Sequence, residues 1–291
     1  MWNAILAGVM LMASPAMQQT DTTVAVNPNG RLRMDDLHGD VVIHVWNRPE
    51  MRVHVSDADG ARLRVSAGGP TVSVGLEPAG GFWRGHERSG DFELTIPATM
   101  SIAVSGPNGD VHIDGTEGEV SVETTSGDVQ LRGGTRIVSI HAISGDVTVS
   151  QARARTDVHA TSGDVQLTDV TGDLVVEAVS GDVTLRRIDA TSVEATTVSG
   201  DMHYDGAVKD GGRYSLTSHS GDVTFAMPPG AGATIGVSTF SGDFDTDIPV
   251  QLTEQRQGKR FSFTLGSGGA RVELQSFSGD IRLARPGANR N

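Results

Sequence analysis

The sequence predicts an all-β fold, a single-stranded parallel β-solenoid (β-helix), right-handed, with about 18–21 residues per coil and capped ends. Three observations predict it. A Gly-Asp pair preceded by Ser or Asn recurs at nearly constant spacing, and apolar residues stand at fixed distances on either side of it. The composition also suits short strands joined by tight turns, with 37 glycines against 4% aromatic residues.

The repeated pair ends at Asp110, Asp128, Asp146, Asp164, Asp182, Asp201, Asp222, Asp243 and Asp280, with successive spacings of 18, 18, 18, 18, 19, 21, 21 and 37. Six residues before that Asp stand Val104, Val122, Ile140, Val158, Val176, Ala195, Leu216 and Val237. One residue after it stand Val111, Val129, Val147, Val165, Val183, Met202, Val223 and Phe244, and three after it Ile113, Leu131, Val149, Leu167, Leu185, Tyr204 and Phe225. Polar residues fill the positions between, which is the alternation of half-buried strands. Equal spacing of equivalent strands makes each run in the same direction as the one a coil later, so the ladders are parallel. A hexapeptide helix of three equal faces is rejected. Stepping by six from Val129 reaches Thr135, and the equivalent positions hold Arg153, Thr171 and Asp189, which cannot line a core. The right hand follows from the usual chirality of parallel crossovers.

Taken along the chain, Met1–Ala16 reads as a secretory signal peptide, with an apolar run from Ala4 to Met12 and then Ser14-Pro15-Ala16, small residues at the −3 and −1 positions of a cleavage site. Residues 20–100 are expected to form irregular first coils and an N-terminal cap, with degenerate corners at His38-Gly39-Asp40-Val41 and Ser89-Gly90-Asp91-Phe92. Residues 101–246 are the regular solenoid, its coils stacked in chain order. Residues 247–291 hold an excursion, a last coil and the C-terminal tail.

The run Phe92-Glu93-Leu94-Thr95-Ile96-Pro97, then Asn108-Gly109-Asp110-Val111, then the iterated Ser-Gly-Asp-Val corners, resembles the bacterial putative-adhesin family, exported β-solenoid domains of unknown function. The resemblance covers roughly Gly30 to Leu283. It implies a β-solenoid in an envelope setting and no catalytic residue.

Function is approached by exclusion. The formal charge of −13, from 23 basic and 36 acidic side chains, repels phosphate backbones, so nucleic acid is not an expected partner. The absence of cysteine excludes disulfides, thiolate metal sites and a Cys nucleophile. Nucleophile-elbow, phosphate-loop, dinucleotide and His-Glu-x-x-His motifs are missing, so neither catalysis nor a cofactor is expected. No segment beyond the signal peptide is long and apolar enough to span a membrane. The reading is a non-catalytic exported protein, periplasmic, surface-bound or secreted, presenting outer faces such as Gln130, Thr148, Gln166 and Thr184 to an envelope polysaccharide or protein. The alternatives are a β-helix polysaccharide-active enzyme and a metal-binding envelope protein.

Three motifs are weighed for chemistry. The Ser-Gly-Asp corner is explained by turn structure, Gly supplying positive φ and the side chains accepting turn amides. The Gly-rich loop Gly80–Arg88 gathers Phe82, Trp83 and His86, and folding over a solenoid end accounts for its aromatics. Five residues before successive corner aspartates stand Glu123, His141, His159 and Glu177. Stacked outward at about 4.8 Å, they are the candidate metal ligands, with nitrogen and oxygen donors suited to zinc, copper or nickel.

Overall fold

The computed structural model describes residues 21–35, 38–56, 61–78, 89–250, 254–256 and 259–286. The signal peptide assigned to Met1–Ala16 and the aromatic loop Gly80–Arg88 lie outside the described residues. Every regular element among these residues is a strand, and the strands form two sheets of 13 and 14. The 14-stranded sheet collects the strands that run into each Gly-Asp corner, here the entry sheet. The 13-stranded one collects those that leave it, the exit sheet.

One coil shows how the sequence makes this shape. Ile137–Ser144 enters, Gly145 and Asp146 turn the chain, Val147–Ser150 leaves, and residues 151–154 return it to the next entry strand, Arg155–Ser162. Parallel registry places Ile140 between Val122 and Val158, and Val147 between Val129 and Val165. All six are fully buried, because the period-2 alternation turns equivalent residues of every coil to the same side. A second bend closes the coil. Gln151, Asp169 and Arg187 occupy its equivalent positions in three successive coils, all with left-handed φ between 50° and 57°.

Two inward columns accompany the three read from the alignment. Eight residues before the corner Asp lie Val120, Val138, Thr156, Leu174, Val193 and Tyr214; four before it lie Thr124, Ala142, Ala160, Ala178, Thr197 and Ser218. The second of these holds only Thr, Ala or Ser and lies three residues before the corner Gly. Phe244 departs from its column. It lies half-buried in the three-residue edge strand Phe244–Thr246 and packs against the rings of Phe261 and Phe263, 4.9 and 5.9 Å away.

The corner needs its residues for reasons that reach across coils. From Gly109 to Gly221 the corner glycines have φ between 119° and 149°, and a Cβ on Gly163 would stand 2.2 Å from the carbonyl oxygen of Gly145 in the coil before. Glycine is therefore demanded by close approach of stacked backbones as well as by φ. The aspartates do not mainly cap their own turns. Each Oδ1 accepts the backbone N–H of the corner Asp in the adjacent coil, at 2.7–3.0 Å, in one ladder through Asp91, Asp40, Asp110, Asp128, Asp146, Asp164, Asp182, Asp201, Asp222, Asp280 and Asp243.

That order shows where chain order and stacking order part. The coil of Asp280 lies between those of Asp222 and Asp243, because Ala270–Ser278 pairs in parallel with both Arg213–Ser220 and Ala233–Thr239. The expectation that residues 101–246 stack consecutively is corrected there. At the other end the coil of Asp40 lies between those of Asp91 and Asp110. Antiparallel strands then cover the outermost coils. Glu50–Ser56 and Ala61–Gly68 do so at the N-terminal end, and Lys259–Leu265 covers Ala233–Thr239 at the C-terminal end. An open parallel edge would invite pairing with other chains, and these strands occupy it everywhere but at the C-terminal end of the exit sheet, where the short strand Phe244–Thr246 is the edge.

Candidate binding groove

Registry brings Glu123, His141, His159 and Glu177 side by side on the outer face of the entry sheet. The His141 and His159 rings meet edge to face with centroids 4.7 Å apart, and His159 Nδ1 lies 3.0 Å from Glu177 Oε2. Both partners of that contact are largely solvated. Among the described residues no group of three or more His, Asp or Glu side chains is placed to hold a metal ion.

These side chains line one wall of a groove of about 910 Å³ running across the coils. The other wall comes from a column two residues closer to the corner, which alternation turns to the same face: Pro107, Thr125, Ile143, Thr161, Val179 and Val198. Following that column along the stack adds His219, Phe277 and Phe240. Their rings stack nearly parallel, His219 on Phe277 at 4.9 Å and 10°, Phe277 on Phe240 at 4.8 Å and 3°. A smaller hollow of about 450 Å³, bounded by Ser238, Arg260, Arg271, Glu273 and Gln275, lies on the same face at this end.

Exposure separates this column from the rest of the surface. Among the described residues six large hydrophobic side chains are exposed, Ile137, Ile143, Val179, Val198, Phe240 and Phe277, and all but Ile137 belong to it. Phe240 is the extreme at 72%. Scattered exposed apolar residues need no explanation, but alignment in one stripe does.

Sequence alignment on the corner Asp placed the Glu/His column outward but did not single out its neighbour. Its apolar members alternate with threonines, and Phe240 and Phe277 sit 37 residues apart in the chain, so their stacking becomes visible only once the Asp280 coil is inserted. The Gln130, Thr148, Gln166 and Thr184 column lies on the exit sheet, in registry, away from the groove.

The ionisable groups with displaced pKa are elsewhere. Burial raises Tyr204 far above its ordinary value and raises Tyr214 as well; their hydroxyls donate to Ala207 O at 2.8 Å and Ala190 O at 2.9 Å. The two rings pack with Phe225 inside the solenoid. Burial also lowers His203, on the exit sheet, against the opposing pull of Asp205. No helix long and apolar enough to cross a membrane occurs among the described residues.

An all-β stack of parallel coils with a structural corner and one grooved, apolar-striped face is a β-solenoid built around a surface. Residues 30–284 match the model of the Toastrack DUF4097 family, and the chain belongs to that family. No curated protein matches it. Similar crystal structures include the following two. One, described as a putative adhesin from Bacteroides fragilis NCTC 9343, is 11% identical with a TM-score of 0.42, covering 90% of this chain and 95% of its own. The other, described as a putative cell adhesion protein from Clostridium sporogenes ATCC 15579, is 9% identical with a TM-score of 0.24, covering 91% of this chain and 98% of its own.

Proposed function

We propose that this chain is a non-catalytic exported protein of the cell envelope that binds an envelope component through the grooved outer face of its entry sheet. The observation that carries the reading is the alignment of Ile143, Val179, Val198, Phe277 and Phe240 in one exposed stripe beside a polar column. Leaving these side chains in water forgoes roughly 25 cal/mol for each Å² of apolar surface that a partner would cover. Export rests on the leader-like sequence of Met1–Ala16. Against catalysis stands the placement of the acids, which are spread over the corner ladder and surface pairs such as Arg187 with Asp169, while the two in the groove, Glu123 and Glu177, stand three coils apart with His141 and His159 between them.

The test is co-sedimentation of the purified protein with envelope fragments. Ile143→Asp with Val179→Asp places two charges on the stripe without touching the core, and retention is expected to fall at least tenfold. Unchanged retention rejects this face. Release of soluble sugar or peptide from the fragments by the parent protein, abolished by one Asp or Glu substitution, would replace the reading with an enzymatic one.

A second reading is favoured by one contact. His159 and Glu177 already meet, with His141 packed on His159, so rotation of the His141 ring and of Glu123 would assemble an imidazole and carboxylate set of the kind zinc accepts. Zinc titration by calorimetry at neutral pH tests it. Binding at micromolar metal that is lost in His141→Ala with His159→Ala supports the site, and equal binding by parent and variant removes it.

A further inference from the structure

We propose that the ligand of this face is a linear glycan without acid groups, lying along the stack and crossing the coils from the His141 region of the groove to Phe240. The inference rests on the binding reading above and assigns the chemistry of its partner.

Period is the first argument. Equivalent side chains on the face recur at each coil, about 4.8 Å apart, whereas an extended peptide presents same-side groups about every 6.7 Å and would slip out of step by nearly 2 Å per coil. A linked pyranose advances by about one coil step, so the spacing of its rings stays close to that of the coils along the stack. From the coil of Asp146 to that of Asp243 the stack rises by six steps, roughly 29 Å, room for about six rings.

Chemistry is the second. A sugar ring is amphiphilic, with an apolar C–H face and a hydroxyl edge, and the groove sets an apolar column, interrupted by Thr125 and Thr161, beside a polar one. The column that forms its apolar wall continues past the groove to an exposed aromatic ring, Phe240, aligned by its stack on Phe277, a surface onto which C–H faces pack. Its other wall, with His159, Glu177 and Thr196, supplies acceptors and donors for hydroxyls.

Charge is the third. The lining of the larger groove contains Glu123 and Glu177 and no Lys or Arg, and the chain carries a net −13. At the aromatic end Arg271 is paired with Glu273, and Arg260 donates to Ser238 Oγ. Uronic acids and phosphate polymers are therefore repelled, whereas hydroxyls are accepted and ammonium groups attracted.

Calorimetry with three hexasaccharides tests the proposal on the full chain: N-acetylglucosamine, glucosamine and galacturonate oligomers. The first two are expected to bind, the glucosamine oligomer more tightly at low salt, and the galacturonate oligomer at least tenfold more weakly than either. Phe240→Ala with Phe277→Ala, both exposed, is expected to weaken binding of the neutral oligomer at least tenfold. Glu123→Gln with Glu177→Gln is expected to abolish the glucosamine advantage and leave neutral binding intact, and Gln130→Ala with Gln166→Ala on the exit sheet to change nothing. Galacturonate binding as tight as the others, or indifference to loss of both phenylalanines, overturns the proposal. If envelope fragments retain the protein through this face but no oligosaccharide binds or competes, the glycan assignment fails and the binding reading stands. If nothing in the envelope binds, both fail. Self-association that Phe240→Ala abolishes, without sugar binding, assigns the stripe to a second copy and also overturns the proposal.

Discussion

Replacing Gly163 with Ala tests why the repeat has its form. The added Cβ would sit 2.2 Å from the carbonyl oxygen of Gly145, a backbone atom held in the ladder, and it would be attached to a residue whose φ is 123°. A side chain at such a φ costs roughly 1–3 kcal/mol. Relieving the clash shifts the corner and weakens the bonds from Gly163 N–H to Ser180 O at 3.1 Å and from Asp164 N–H to Asp146 Oδ1 at 2.8 Å, each worth about 1 kcal/mol. The expected destabilisation is about 3–5 kcal/mol, a large part of the 5–15 kcal/mol typical of a whole domain. Gly75→Ala is the matched control. Gly75 lies inside the strand Thr71–Pro78 with nothing within 4 Å of the position a Cβ would take, so Ala there is expected to be neutral or stabilising by up to ~1 kcal/mol. Urea unfolding followed by far-ultraviolet circular dichroism reads both. A Gly163→Ala protein within about 0.5 kcal/mol of the parent, below any strain cost of the kind invoked, refutes the steric account of the corner.

Asp146→Ala removes the acceptor for Asp164 N–H, worth about 1 kcal/mol, whereas Asp146→Asn keeps an acceptor; both relieve the same carboxylate repulsion, roughly 0.9 kcal/mol per neighbour in water before screening. Low-salt thermal melts should therefore rank Asn at or above the parent and Ala below Asn by about 1 kcal/mol; equal stability of the two variants would show that the ladder hydrogen bond contributes nothing. Thr197 is 1% exposed and its Oγ1 lacks a hydrogen-bond partner among the described residues, so Thr197→Val is expected to stabilise by about 1 kcal/mol; destabilisation in urea would reveal a missed partner. Tyr204 and Tyr214 are the two tyrosines of the chain, and both are held neutral above the ordinary value of 10.0. Their raised folded pKa stabilises the fold below pH 10, and that stability is lost as pH rises beyond it, because the unfolded chain ionises first. Tyrosinate absorbance should thus appear together with unfolding; a reversible titration near pH 10 in the folded protein contradicts their burial.

Much of this was readable in the chain because a solenoid repeats its reasons. The corner spacing and the Val122, Val129 and Leu131 columns specify a parallel stack, and each recurs often enough to exceed coincidence. The small column of Thr124, Ala142 and Ala160 carries little hydrophobic signal, since Thr and Ser stand in it beside Ala and its burial shows only in three dimensions. Exchange of coil order at the two ends was equally hidden. The Asp280 corner resembles every other corner, and nothing local says which coil it will join. The groove inherits that gap: Glu123, His141, His159 and Glu177 were legible as one outward column, while the aromatic end of the facing wall depends on Phe277 arriving between His219 and Phe240.

Coil order at that end is consequently the point on which fold and binding face both depend, and the chain's lack of cysteine makes it directly measurable. Outward-facing Thr217 is in registry with Gln275, and Gln275 with Ser238. Adjacent parallel strands bring Cα atoms within disulfide range, while strands two apart do not. Under mild oxidation the pair Thr217→Cys with Gln275→Cys is predicted to crosslink, and the pair Thr217→Cys with Ser238→Cys is predicted to stay reduced. Crosslinking of the second pair and not the first would mean that the coils stack in chain order, that Phe277 does not join Phe240, and that the aromatic end of the groove does not exist.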